Sequence, residues 1–181
     1  MSAPSTTPPD YKFKTSLPAN SSSPLDKQQS LLTNSILDLF AGYPTKRKLA
    51  LWADDASFHD PLTIAEGRKQ YEAQFYGLKA SMSEIHQQHF DIVKGGNPIE
   101  LSLKTLYKVK GVGKEQLVDS RILIHLTPDG QRISKVEDQW NGDVPPDGAF
   151  AKALRNLNSV TVPVFVSVPK SIEEEEAAER R

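Results

Sequence analysis

The chain has 181 residues, 38% of them apolar, and a formal net charge of −1. That length supports one domain with its own core, and the balanced charge offers no basic patch for a nucleic acid backbone. The absence of cysteine excludes a disulfide framework, thiol catalysis and thiolate metal sites, and fits a cytoplasmic protein.

Residues 1–24 are rich in Ser, Thr and Pro, and the prolines at Pro4, Pro8, Pro9, Pro18 and Pro24 deny regular structure. With few large apolar groups to offset the ordering entropy, a disordered tail is expected. Met1 to Pro9 has neither a charged n-region nor an apolar h-region, so no secretory signal is expected. No apolar run approaches the roughly 20 residues that span a bilayer, so no membrane partner is expected either.

Leu31, Leu32, Ile36, Leu39 and Phe40 recur at helical spacing from Asp26, a capping residue, to Ala41; Gly42 and Pro44 end this helix. Thr45 then caps a second helix through Lys48, Leu49, Leu51 and Trp52. The run Lys46-Arg47-Lys48 reads as its solvated face. A short strand at Ala56–His59 stops at Pro61. Gly67 opens a third helix reaching about Met82, with Tyr71, Phe75 and Leu78 on one stripe and Tyr76 beside it.

Beyond this point the period changes from 3.6 to 2. Residues 84–93 alternate weakly, and this phase sets His86, Gln88 and Phe90 on one inward face. Residues 99–109 put Leu101, Leu103, Thr105 and Tyr107 on one face and Glu100, Ser102, Lys104 and Lys108 on the other. Residues 115–127 do the same with Val118, Ile122, Ile124 and Leu126 against Asp119, Arg121 and His125. After a turn at Pro128-Asp129-Gly130, residues 132–140 form a last strand that aligns Ser134, Val136, Asp138 and Trp140. A short helix over 148–157 follows, then a valine-alternating stretch that Pro163 and Pro169 limit to an edge or an extended arm. Helices first and a four-stranded meander afterwards predict an α+β domain, with helices on one face of a curved sheet. The expected organisation is a tail over 1–24, a domain over 25–160, an extended arm over 161–172 and an acidic tail over 173–181.

The run Trp52-Ala53-Asp54-Asp55-Ala56-Ser57-Phe58-His59-Asp60-Pro61, followed by Glu66-Gly67-Arg68, by Phe75-Tyr76 and much later by Trp140, resembles the nuclear transport factor 2-like superfamily. That superfamily includes ketosteroid isomerases, scytalone dehydratases and SnoaL-like cyclases. The resemblance spans roughly residues 25–145 and implies a cone-shaped α+β fold enclosing a pocket for a small apolar or aromatic molecule. The fold hosts many chemistries, so function must be argued from the site. By the same resemblance Asp60 falls where the isomerases keep their general base, and Trp140 where a tryptophan lines their pocket. The isomerases' oxyanion-hole tyrosine falls on Ile36 and their protonated acid near Ile122. Neither residue can donate a hydrogen bond, and each lost donor costs about 3 kcal/mol, which argues against steroid isomerisation.

The candidate catalytic residues are Asp60, next to an apolar strand and Pro61, and Asp138, which shares a strand face with Trp140. Burial would raise either carboxyl toward the range useful for proton transfer. The plainer readings are a loop brace for Asp60 and a salt bridge for Asp138. Trp52, Phe58, Tyr71, Phe75, His86, Phe90, Tyr107 and Trp140 are expected to line the pocket, with Tyr107 offering a hydroxyl. No histidine pair has metal-ligand spacing, so neither metal nor cofactor is expected. The function expected is binding of a small apolar ligand, with a cofactor-independent isomerase, dehydratase or cyclase using Asp60 as general base as the alternative. A homodimer formed through the mixed sheet face is the expected assembly.

Overall fold

The computed structural model describes residues 11–17, 23–142, 144–158 and 167–181. Helix α1 (Lys27–Phe40) begins as expected at Asp26. Its carboxylate accepts the Gln29 N–H at 2.8 Å while the Gln29 side chain accepts the Asp26 N–H, so two orphan donors are satisfied reciprocally. Its stripe of Leu32, Ile36, Leu39 and Phe40 is buried. Helix α2 (Lys46–Leu49) is capped by Thr45 but is one turn long. Trp52, expected to close it, instead opens strand β1 (Trp52–Asp60).

Strand β1 turns at Pro61-Leu62 into β2 (Thr63–Glu66), a short hairpin partner that periodicity did not announce. Helix α3 (Arg68–Ser81) follows Gly67, whose φ of 78° is the left-handed conformation glycine adopts without strain. Strands β3 (Met82–Lys94), β4 (Ile99–Val109), β5 (Glu115–Leu126) and β6 (Ile133–Trp140) form the expected antiparallel meander. The sheet order is β2-β1-β6-β5-β4-β3, and β1 lies parallel to β6. The sheet curls without closing. Its inner face, with Leu101, Leu103, Ile122, Ile124 and Val136, packs against α1 and against Tyr71 and Phe75 of α3. Trp52 and Tyr71 stack inside this core with ring centres 4.8 Å apart.

Helix α4 (Ala149–Asn158) covers a second, smaller core built from Leu78, Met82, Tyr107, Val109, Val118, Phe150, Leu154 and Leu157. It docks against α3 where Gly77 leaves room: a Cβ there would sit 2.7 Å from Leu157 Cδ2. Gly77→Ala should therefore cost about 1 kcal/mol, because overpacking outweighs the gain in helix propensity. In a Leu157→Ala background the same change should stabilise instead. A double-mutant cycle by denaturant titration checks the reversal, and additive effects would refute this close contact.

Both ends of the chain contribute structure where tails were expected. In segment 11–17 the Thr15 N–H donates to Asp38 Oδ1 at 2.8 Å; the Thr15 hydroxyl and the Lys14 N–H donate to the same carboxylate, and Leu17 N–H donates to Asn34. The acidic run forms helix α5 (Ile172–Glu179), capped by Ser171, with none of its residues buried. It touches the body through polar groups: Glu175 accepts from the Lys46 N–H and the Tyr76 hydroxyl, and Glu176 pairs with Arg47 at 2.6 Å. Most of the valine-alternating arm, 159–166, lies outside the described residues. Among the described residues no helix is long and apolar enough to cross a membrane.

Candidate functional site

A narrow cavity lies at the seam between the two cores. Phe40, Phe58 and Phe75 wall it from one side, Tyr107, Phe150 and Leu154 from the other. Its free volume is about 30 Å³, room for about two water-sized groups. Two carboxyl groups, Asp60 and Asp138, line it, and among the described residues no Lys, Arg or His does.

The parallel pairing of β1 and β6 brings these carboxyls together. Phe58 stands beside Val136 and His59 beside Glu137, so Asp60, one residue on, comes alongside Asp138. Asp60 braces a loop and lines the cavity as well: its Oδ1 accepts the Leu62 N–H at 2.7 Å, at the turn into β2. Burial raises its pKa above the ordinary value, against the opposing pull of donors from Leu62 and Thr63.

Asp138 is only 7% exposed. The salt bridge considered for it is not made; its Oδ2 accepts the indole N–H of Trp140 at 2.9 Å. Its Oδ1 is buried and makes no hydrogen bond among the described residues. Burial, first, lifts its pKa to about 7; the Trp140 hydrogen bond and the nearby Ser120 hydroxyl pull the other way, and the neighbouring Asp60 adds to the rise. Tyr107 is held above its ordinary pKa by burial and then by Asp138 and Asp60, so its hydroxyl keeps its proton.

The structure gathers Asp60, Asp138, Phe58, Phe75, Tyr107 and Trp140 at the cavity. Trp52 and Tyr71 are instead fully buried in the main core, where Tyr71 donates to the Ala53 carbonyl. Phe90 packs against that same core. His86 is a correction: its side chain is 63% exposed and pairs with Glu84 at 3.1 Å. A register shift between Gln87 and His89 inverts the alternation, so Ile85 opposite Tyr107 and, beyond the bulge, Phe90 lean inward while His86 leans out. Sequence reasoning missed Phe40, Gln74, Leu78 and Val118, together with the α4 wall of Phe150, Leu154 and Leu157. The apolar stripe of α4 was the available signal, but only its docking shows where that stripe points. Ile36 and Ile122 are fully buried. Among the described residues no three His, Asp or Glu side chains stand together as metal ligands.

No family model matches the chain, and no curated protein matches it. Solved structures match it in shape. A nuclear transport factor 2-like protein from Anabaena variabilis superposes with TM-score 0.56 at 13% identity, over 65% of this chain and 89% of its own. A steroid delta-isomerase from Pseudomonas aeruginosa gives TM-score 0.56 at 16% identity, over 80% and 98%. A de novo designed protein with a curved β-sheet gives 0.51 at 12% identity, over 70% and 93%. The chain has the nuclear transport factor 2-like fold, an α+β cone with a curled, open sheet.

Proposed function

We propose that the cavity is a proton-transfer site for a small, largely apolar carbonyl compound. One observation carries this reading: Asp60 and Asp138 lie alongside each other, raised by burial, at an aromatic-walled cavity, and one Asp138 oxygen is buried without a hydrogen-bond partner among the described residues. Two carboxyls in one apolar site hold their protons unequally. Asp60 is half-buried and has donors from Leu62 and Thr63 favouring its charged form, so it is the base. Asp138 is the more buried and keeps the proton. The Asp60 carboxylate takes a proton from the carbon next to the carbonyl. The C–H electron pair becomes the enolate double bond. The enolate oxygen accepts hydrogen bonds from protonated Asp138 and from Tyr107. Asp60 then returns the proton to carbon. The donors absent at Ile36 and Ile122 are in this way supplied from β6 and β4. The steroid isomerase likeness adds support at the level of fold.

The test is isomerisation of a cyclic β,γ-unsaturated ketone to its conjugated form, followed by ultraviolet absorbance. Asp60→Asn should lower the rate by about 10²–10⁴, and the rate should fall as pH rises through about 7 and Asp138 loses its proton. A wild-type rate no greater than buffer would refute it. Either reading needs α4 to move outward, because the free volume is about 30 Å³; the second reading is a non-catalytic site that then holds a small apolar ligand. Binding without turnover would select it. In either reading we place the protein in the cytoplasm as a homodimer, joined through the mixed charged and apolar face of the sheet.

A further inference from the structure

Strand alternation puts residues two apart on the same face, so Asp138 and Trp140 project together from the end of β6. The indole N–H donates to Asp138 Oδ2 at 2.9 Å. The ring of Trp140 packs against Phe150, with centres 6.0 Å apart, and its other side borders a surface recess of about 230 Å³ with Leu62 and Val144. A carboxyl held at one oxygen has its plane fixed, so the direction of the second oxygen is fixed too. That second oxygen, Oδ1, is the one left buried and without a partner.

We propose that Trp140 is the positioning residue of the site, its indole N–H fixing Asp138 so that the second carboxyl oxygen faces the bound molecule. This rests on Asp138 being the proton-bearing group. The groups facing Asp138 are Asp60 from β1, Tyr107 from β4 and the Ser120 hydroxyl from β5. The cavity residues of α3 and α4, such as Gln74, Leu78, Phe150 and Leu154, do not titrate. The only indole donor to the carboxyl is therefore Trp140, and a donor favours the charged form. Trp52 supplies a control, because its indole N–H is buried without a hydrogen-bond partner among the described residues.

The experiment is a pH titration by NMR of the full chain, with labelled Asp carboxyl carbons and Trp indole nitrogens. The Trp140 indole signal should move through the same midpoint as the Asp138 carboxyl, and the Trp52 signal should not follow it. Trp140→Phe keeps a ring and removes the N–H, and should raise the Asp138 midpoint by about one pH unit, the tenfold that a hydrogen bond to a charged group is worth. A Trp140 indole signal that ignores the carboxyl, or an unchanged midpoint in Trp140→Phe, overturns the proposal. Should that variant fail to fold, the wild-type indole signal decides alone. A wild-type Asp138 that titrates in the ordinary carboxylate range overturns the proton-transfer reading itself, a result distinct from a raised midpoint that Trp140 does not control.

Discussion

Lys48→Ala is expected to destabilise the domain by about 3–5 kcal/mol, the cost of leaving one partner of a buried ion pair uncompensated. The Lys48 ammonium lies 2.7 Å from Asp38 Oδ2, with the two side chains 6% and 0% exposed, and it also donates to the Tyr43 carbonyl. Burial alone would raise the Asp38 pKa. The hydrogen bonds from Lys48, Thr15 and Lys14 outweigh it and hold the carboxyl below its ordinary value. A depressed carboxylate stabilises the fold above its unfolded pKa, and this contribution is lost as pH falls through the lower folded value. Wild-type stability should accordingly fall on the acid side of about pH 4, while Lys48→Ala should show a weaker acid limb. Replacing both residues with apolar ones should recover only part of the loss, because the Lys14 and Thr15 donors lose the Asp38 acceptor as well. Denaturant titration of single and double variants checks this. A Lys48→Ala protein as stable as the wild type would refute the buried pairing.

Asp138→Asn is expected to stabilise the protein at about pH 8 by roughly 4 kcal/mol and, on the proton-transfer reading, to lower the rate by about 10²–10³. The folded carboxyl titrates at about 7 against an ordinary value of 3.8. The wild-type fold is thus most stable, as far as this group is concerned, below the unfolded value. It loses that stability as pH rises toward about 7 and changes little beyond. The asparagine variant has no charge to bury, so its advantage should be absent near pH 4 and complete above 7. Its amide oxygen can still accept the Trp140 N–H. Unfolding free energies measured across this range decide the matter, and two parallel curves would show that Asp138 is not strained by burial. Gain of stability with loss of activity is the pattern of a group kept for function against the interest of the fold.

The elements that sequence periodicity could read were those whose burial is one-sided and regular. Helix α1 showed its stripe and its Asp26 cap, β4 alternated along its full length and β5 from Val118 onward. Tyr107 followed from strand phase, Asp60 and Trp140 from the resemblance, and Asp138 from sharing a strand face with Trp140; the structure brings all four to one cavity. What escaped was set by events that leave no period. Pro61 read as a stop, whereas with Leu62 it makes the turn into β2, braced by Asp60. A single register shift in β3 reversed the assignment of His86. The walls from α4 depend on docking between distant segments, and the close approach at Gly77 has no signature beyond one glycine in a helix.

The parallel pairing of β1 with β6 also bears on the order of assembly. Each of the other ladders joins strands that follow one another along the chain, whereas this one joins an early strand to the last strand of the meander. Closing so long a loop is entropically slow and is repaid only when the contact forms. The meander can therefore form while Asp60 and Asp138 are still apart. The repulsion between them, and the part of their burial that β1 supplies, enter only at the final closure. The carboxyl pair thus places a cost on this closure, and raising the pH from about 4 toward 7 should slow it more than any earlier step.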